Sequence, residues 1–440
     1  MQGRLVSAFG IVLCLALAGC GYMGAKKGTA LKGTRVSIME EAKGLEADKD
    51  LQGEKPQVPG MVDNAGWPQA GYDTAHLMPN AILGENLQEE WMANVGSGSS
   101  SSFALLARPV VSHGRVFTMD SHGVVKAFDN KTGDRLWYFE TTPEDRDDDA
   151  IGGGIGVDGD TVYATTGFGE VLALQAETGN LKWRRALLNP LRAAPTISDG
   201  RVYAVSIDNQ LSALDTRTGD VLWHHNGISE SATLMGASSP AVSGDSVVVT
   251  YSSGEVYNLR AENGRVSWSY ALTMPTQVGA LPAIADIRGL PVIGHGRTFV
   301  VSHSGRMASI DHRTGDRDWE VDIGGLNTPL VAGDAVFILS NDGQLVALSR
   351  TSGRIMWVKE LQKLTDPDDR GSTPVFWSGP VLGGSRLWLT NSLGQLMAYS
   401  PDDGREVETI EIDEPIYMPP VIADKVLYVV TDNGDLIALR

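Results

Sequence analysis

Cysteine is almost absent from this 440-residue sequence, and its absence narrows the chemistry available to the folded body. The two cysteines are Cys14 and Cys20, so the chain after residue 20 cannot form a disulfide or a thiolate metal site. Basic residues are also scarce, because 36 Lys and Arg oppose 54 Asp and Glu and give a formal net charge of −18. Since nucleic-acid phosphates are bound by basic surfaces, we expect no nucleic-acid partner.

The apolar stretch near the N-terminus is too short to cross a membrane as a helix. It runs from Leu5 to Ala18, which is 14 residues, whereas a membrane-spanning helix needs about 20. Arg4 before the stretch and small residues after it are typical of a secretory signal. Its end, Leu-Ala-Gly-Cys20, resembles the lipobox of bacterial lipoproteins. This resemblance implies that residues 1–19 are removed, that Cys20 carries a lipid anchor, and that Gly21, in place of a retention Asp, favours the outer membrane.

Residues 20–66 have few aromatics and dense mixed charge, a composition typical of linkers. We therefore expect three regions: a lipoprotein signal over 1–19, the lipidated Cys20 with a flexible tether over 20–66, and one folded domain over 67–440.

Internal repeats indicate the fold of that domain. A Gly followed four residues later by Trp recurs every 38–51 residues, a spacing close to that of four-stranded propeller blades. A seventh copy has Gly404 but Glu408 where the Trp is expected. We expect each Trp to lie against the adjoining blade as a structural residue. The six repeated tryptophans are Trp137, Trp183, Trp223, Trp268, Trp319 and Trp357.

A second signature, two apolar strands around a tight turn, occurs eight times and predicts an all-β, eight-bladed β-propeller of four-stranded antiparallel blades. The last unit ends at Arg440 after three strands, so its fourth strand must come from elsewhere. Residues 89–95, with an additional Trp91, are the predicted donor, which closes the ring by pairing N- and C-terminal strands. The turn positions are Gly123, Gly169, Asn209, Gly254, Gly305, Gly343, Gly394 and Gly434.

The repeat resembles that of quinoprotein alcohol dehydrogenases, which bind pyrroloquinoline quinone beneath two adjacent cysteines and hold Ca²⁺. A quinone-dependent dehydrogenase is therefore one alternative function, although the folded body here has no cysteine. A propeller that binds carbohydrate or peptidoglycan is another. We expect no cofactor and no metal.

The combination of lipobox, charged tether and eight-bladed ring also resembles the B lipoprotein family of the β-barrel assembly machinery. This resemblance implies a non-enzymatic scaffold that is lipid-anchored to the outer membrane and faces the periplasm. Its implied partners are the periplasmic domains of the barrel-forming assembly protein and unfolded outer membrane proteins.

In that family two neighbouring interblade loops make the docking contacts. The matching segments here are Ala232–Gly236 and Asp286–Arg288, so the candidate partner-binding residues are Leu234, Met235, Asp286 and Arg288. Leu234 and Asp286 agree with the family pattern, whereas Ala232, Met235 and Arg288 depart from it. Two interpretations stay open: the cation has moved to Arg288 in a compensated interface, or docking uses other residues.

Overall fold

The computed structural model describes residues 44–51, 53–146, 150–230, 234, 236–272 and 285–440, and these residues form a ring of eight β-sheets. Over this part of the chain the one helix is a short 3-10 turn, Lys49–Leu51. None of its helices has the length and apolarity to cross a membrane.

Each sheet is a blade of four antiparallel strands, which confirms the predicted architecture. Strand labels follow the order of the chain, and the strands of each blade are given from the axis outwards. Blades 1 to 4 comprise, in order, Val110–Ser112 (β2), Arg115–Met119 (β3), Val124–Asp129 (β4) and Arg135–Glu140 (β5); Gly153–Asp158 (β6), Thr161–Thr166 (β7), Glu170–Gln175 (β8) and Leu181–Ala186 (β9); Thr196–Ser198 (β10), Arg201–Val205 (β11), Gln210–Asp215 (β12) and Val221–Asn226 (β13); and Ala241–Ser243 (β14), Ser246–Thr250 (β15), Glu255–Arg260 (β16) and Val266–Ala271 (β17).

The remaining four blades repeat this pattern. They comprise Val292–Gly294 (β18), Arg297–Val301 (β19), Met307–Asp311 (β20) and Arg317–Val321 (β21); Leu330–Ala332 (β22), Ala335–Leu339 (β23), Gln344–Ser349 (β24) and Ile355–Glu360 (β25); Trp377–Gly383 (β26), Arg386–Asn391 (β27), Gln395–Tyr399 (β28) and Glu406–Glu411 (β29); and Val421–Ala423 (β30), Val426–Val430 (β31), Asp435–Leu439 (β32) and Glu89–Asn94 (β1).

Blade 8 is assembled from both ends of the chain, as the missing fourth strand predicts. Strand β1 pairs antiparallel with β32, with Glu89 opposite Leu439 and Asn94 opposite Asp435. This pairing closes the ring, because without β1 the strand β32 would have one unpaired edge. The eight predicted turn positions all have positive φ, including Asn209 at 64°. This agrees with one shared turn geometry, which glycine and asparagine tolerate best.

The repeated tryptophans join neighbouring blades, which confirms their structural role. Trp137 of blade 1 lies over Gly179 of blade 2, where a Cβ atom would come within 2.6 Å of the indole ring. The Trp137 Nε1–H also donates to the Ala176 carbonyl oxygen at 3.0 Å. The other five repeated tryptophans and Trp91 make the same two contacts with the next blade. The glycine of each repeat is therefore required both for its positive φ and for the indole that covers it.

The junction between blades 7 and 8 lacks this contact, and chain topology explains why. Blade 8 takes its outer strand from the N-terminal end, so no turn of the repeat type leads into β1. A Trp at position 408 would have no such glycine to cover. Glu408 occupies the position instead and forms an ion pair with Arg386 at 2.5 Å.

The N-terminal part of the domain crosses the ring and forms hydrogen bonds with all eight blades, at the axis-facing edge of the inner strand in seven of them and at Asp334, in the turn after β22, in blade 6. We name residues 57–84 the plug segment. On blade 1 the Trp67 N–H donates to the Val111 carbonyl oxygen at 2.7 Å, and the Val111 N–H returns a bond at 2.9 Å. The partners on blades 1 to 8 are, in order, Trp67, Pro68, Gln69, Thr74, Ala75, Gln57, Ala81 and Asn64.

This arrangement corrects the predicted extent of the flexible tether. Ordered packing begins near residue 45 rather than at 67, since Arg354 binds the Asp48 carboxylate with two hydrogen bonds of 2.6 and 2.8 Å. The composition of residues 45–66 is that of a linker, but the backbone of the plug segment satisfies strand edges that would otherwise be unpaired. The predicted signal and Cys20 lie outside the described residues.

Candidate functional site

The two faces of the ring differ in what covers them. The closed face carries the turns between the first and second strands of each blade, and the plug segment bonds to several of these turns. The open face carries the eight hairpin turns and the loops that lead from each outer strand to the next blade. The candidate docking loops belong to this open face, as does the long segment 361–378.

A cavity of about 450 Å³ opens at the centre of the open face. Its walls are the residues that precede the inner strands, and Ala70 of the plug segment lies among the lining residues. The plug segment therefore closes the axis at one end and leaves a cup at the other.

Three arginines line the half of the cup that blades 1 to 5 form: Arg108 of blade 1, Arg192 of blade 3 and Arg288 of blade 5. Each lies one or three residues before the proline that precedes an inner strand. Within the described residues none of the three has a carboxylate within ion-pair distance. The cup is thus a concentration of positive charge in a protein of net charge −18.

The guanidinium groups of these arginines have few hydrogen-bond partners within the described chain. Arg108 donates one hydrogen bond to the Ala70 carbonyl oxygen at 3.2 Å. Burial, together with the positive charge of Arg288, lowers the pKa of Arg108 to about 10, so the side chain remains charged at neutral pH. The Nε of Arg192 is buried without a hydrogen-bond partner among the described residues. These guanidinium groups therefore retain unused hydrogen-bonding capacity.

Aromatic and apolar side chains line the cup on the side of blades 7 and 8. Phe376 is 56% exposed and Tyr417 is 43% exposed, with ring centroids 6.1 Å apart. Trp377 and Met418 lie beside them in the lining. The cup therefore has a cationic wall and an apolar wall.

The two predicted docking loops meet on the open face. The Leu234 backbone N–H donates to the Asp286 carboxylate at 2.8 Å, although the two residues belong to different interblade loops. Asp286 is 5% exposed, whereas Arg288 is exposed and lies close to Gly236 of the first loop. The structure thus brings together three of the four candidate residues, and Met235 and Ala232 lie outside the described residues.

The electrostatics of this pair of loops follow from burial. Burial raises the pKa of Asp286, and the bond from Leu234 together with the charge of Arg288 opposes that rise. An Asp with this environment serves to hold the two loops together. Arg288 is the exposed member of the pair.

The cup was not found by sequence reasoning, although a signal was present. Arginine occurs just before an inner-strand proline in alternate blades 1, 3 and 5, but this pattern was hidden among 36 scattered basic residues. The significance of the three arginines depends on the ring, which brings residues 180 positions apart to one cavity.

The residues of the cup do not match the quinone site that the repeat resemblance describes. That site needs adjacent cysteines and a cluster of calcium ligands, and the chain after residue 20 has no cysteine. Over the part of the chain that the structure describes, no three His, Cys, Asp or Glu side chains are grouped so that they could hold a metal ion.

Comparisons with solved structures find proteins of similar fold. The crystal structure of BamB from Moraxella catarrhalis superposes with a TM-score of 0.69 at 18% identity and covers 80% of this chain and 99% of that one. A quinohemoprotein alcohol dehydrogenase from Comamonas testosteroni has a TM-score of 0.65 at 14% identity, covering 85% of this chain and 80% of that one. At these identities the likeness concerns the fold alone.

Sequence comparisons are more specific. The outer membrane protein assembly factor BamB of Alteromonas naphthalenivorans is 29% identical over 366 residues, covering 80% of this chain and 85% of that protein. The BamB of Yersinia pestis is 26% identical over 354 residues, covering 79% and 87%. The model of the family described as outer membrane protein assembly factor BamB matches residues 121–359 and 363–440. Because this match spans most of the propeller, the chain belongs to the BamB family of outer membrane protein assembly factors.

Proposed function

We propose that this protein is a non-enzymatic scaffold in outer membrane protein assembly, anchored through a lipid on Cys20 and facing the periplasm. In this proposal the open face docks on the periplasmic domains of the barrel-forming assembly protein. The ring then holds or orients unfolded outer membrane proteins during their delivery. Membership of the BamB family supports the process, and the geometry of the open face supports the mode of docking.

The observation that carries the proposal is the bond between the two docking loops. By accepting the Leu234 N–H at 2.8 Å, Asp286 fixes one loop against the other and leaves Arg288 exposed beside them. A preorganised loop pair loses less conformational freedom on binding than two independent loops would. Exposed Arg288 supplies the cation for a partner carboxylate, a pairing that Arg favours because its guanidinium can bind both oxygens.

The outer strands provide a surface for unfolded substrates. Each forms the outward edge of its blade, so its unpaired backbone groups can pair with an added extended segment. Apolar side chains are exposed along these edges, as they must be to contact alternate side chains of such a segment. They include Met92, Leu136, Tyr138, Leu181, Leu222, Val266 and Val407.

A detergent pulldown of the tagged full-length protein tests the docking proposal. The wild-type protein should recover the barrel-forming protein, whereas Arg288→Glu should lower that recovery about tenfold or more, because it replaces the exposed cation by an anion. Arg313→Glu is the matched control, since Arg313 is exposed on the closed face, in the turn before β21.

Substitutions of Asp286 test whether this residue acts by contacting the partner or by holding the two docking loops together. Asn retains an oxygen that can accept the Leu234 N–H, so it should weaken recovery less than Asp286→Ala, which removes the link between the loops. Failure of the wild-type protein to recover the barrel-forming protein would overturn the proposed function. Equal recovery by the Arg288→Glu and control variants would instead exclude these loops from the interface.

A further inference from the structure

The central cup shares only Gly236 and Arg288 with the docking loops, and the proposed function does not use its other lining residues. It combines a closed floor, a volume of about 450 Å³, a cationic wall and an apolar wall. A concave site with a few convergent polar groups among apolar ones is the usual form of a ligand pocket.

From these features we propose that the cup binds a carboxylate group of an extended peptide, with an apolar side chain next to that carboxylate on the opposite wall. Arg108 and Arg192 are the main anion-binding residues, and Arg288 contributes at the margin of the docking loops. Phe376, Trp377 and Tyr417 form the surface for the apolar side chain.

The cationic wall indicates an anion because its hydrogen-bonding capacity is not used within the described chain. Arg192 Nε is buried without a partner, and the carboxylates of the described residues do not pair with Arg108 or Arg192. Arg108 and Arg288 repel each other, since the charge of Arg288 lowers the pKa of Arg108, so an anion that enters the cup relieves this repulsion as well as forming bonds. Asp432 is the carboxylate among the lining residues, and it belongs to blade 8, on the side of the aromatic residues.

The shape and chemistry of the carboxylate fit the guanidinium groups. A planar guanidinium binds the two oxygens of a carboxylate with two parallel hydrogen bonds, which gives orientation as well as attraction. A peptide supplies this group from two sources, an acidic side chain or the free C-terminus. Both can bring an adjacent apolar side chain to the aromatic wall, where a large apolar contact adds affinity.

Fluorescence anisotropy with short labelled peptides tests the proposal on the full-length protein in detergent. Three peptides of otherwise equal sequence are compared: one ending in Phe with a free carboxylate, one amidated with an internal Asp-Phe pair, and one amidated without any acid. The first or the second should bind at least tenfold more tightly than the third, and the tighter of the two identifies the source of the carboxylate. Binding should also weaken with added salt.

Two substitutions locate the binding. Arg192→Gln should weaken binding of the acidic peptide about tenfold, because a charged donor is lost, and Arg108→Gln with Arg192→Gln should weaken it further. Arg313→Gln on the closed face should leave it unchanged, and neither cup substitution should alter recovery of the barrel-forming protein. The ligand comparison needs no variant, so it stands even if Arg108→Gln disturbs Ala70 and the plug segment.

Equal affinity for all three peptides, or unchanged affinity in Arg192→Gln, would overturn the proposal. So would an acidic peptide that competes with the barrel-forming protein in wild-type and Arg192→Gln alike, since binding would then occur at the docking loops. These results leave the docking proposal intact, and loss of docking in Arg288→Glu does not by itself affect peptide binding through Arg192.

Discussion

The same eight blades form the closed and the open face of the ring, but the chain covers the axis at only one of the two faces. On the closed face one segment of the same chain forms hydrogen bonds with every blade, in seven of them at the edge of the inner strand. On the open face the described chain leaves the central cup uncovered, with three arginines and several aromatic side chains at its wall. The two ends of the axis therefore differ although the blades repeat: one end is covered by the plug segment, and the other is the end at which we propose that partners bind.

Among substitutions that test this difference between the faces, we expect Trp67→Ala to change the free energy of unfolding most. The side chain is 2% exposed, and its ring lies 5.3 Å from that of Tyr72 in an edge-to-face contact. Trp67→Ala should lower the free energy of unfolding by about 3–5 kcal/mol, the usual cost of removing a buried aromatic side chain. Urea denaturation followed by circular dichroism measures this. The matched control is Met61→Ala, because Met61 is 52% exposed in the same segment. A loss for Trp67→Ala as small as that expected for Met61→Ala would mean that the plug segment is not a packed element.

The closed face should also be sensitive to acid through His76. This side chain is 1% exposed, and its Nδ1 lies 2.8 Å from the Pro291 carbonyl oxygen, a geometry in which Nδ1–H donates. Burial, together with the charge of Arg108, lowers the pKa of His76 to about 4. A depressed folded-state pKa contributes stability that is present above the ordinary pKa of about 6.5 and is lost as pH falls towards 4.

We therefore expect the free energy of unfolding to fall between pH 6.5 and 4 by up to about 3 kcal/mol on account of His76. His76→Asn retains a donor near the Nδ1 position but does not titrate. The difference between the two stability–pH curves isolates the histidine, since other groups titrate in both proteins. Parallel curves would show that His76 is already free to protonate in the folded protein.

A smaller effect is expected at Gln69, which binds a single blade. Its amide accepts the Ile197 N–H and donates to the Ile197 carbonyl oxygen, both at 3.2 Å, and the residue is 4% exposed. Gln69→Ala leaves two buried backbone groups of β10 unpaired and should cost about 1–3 kcal/mol. Gln362→Ala, an exposed glutamine of the open face, is the comparison and should leave the unfolding midpoint in place.

The smallest effect is expected on the open face itself. Leu188 is 89% exposed in the loop between blades 2 and 3. Leu188→Ser should change the free energy of unfolding by no more than about 0.5 kcal/mol, because the side chain buries almost no surface on folding. A loss comparable with that of Trp67→Ala would show that this face is packed and not free for partners.

The ring could be predicted from the sequence because every blade repeats the same short motifs. Each repeated Gly and Trp takes part in the same kind of contact between neighbouring blades, and the exception at Glu408 follows from the pairing of the two chain ends in blade 8. Asn209 was predicted to share a turn geometry with seven glycines, and its φ of 64° confirms it.

The plug segment could not be predicted in this way. Its partners are spaced irregularly along the chain, from Gln57 to Ala81, because their positions follow the circumference of a ring and not a helix or strand period. Most of its hydrogen bonds are made by backbone groups, which nearly all residue types share, so the sequence does not indicate them. Asp286 illustrates the same limit at the candidate site, since its burial and its bond to Leu234 appear only after the two loops are folded.

The plug segment has a consequence for how the molecule folds and unfolds. In most repeat proteins each unit contacts only its neighbours, so units can unravel one at a time from an end. Here one N-terminal segment bonds to all eight blades, and strand β1 pairs with the last strand, Asp435–Leu439. Completion of the native state must therefore wait until the final residues of the chain are available. Once complete, the blades should unfold together in a single cooperative transition, because no blade can leave without releasing the segment that holds the others.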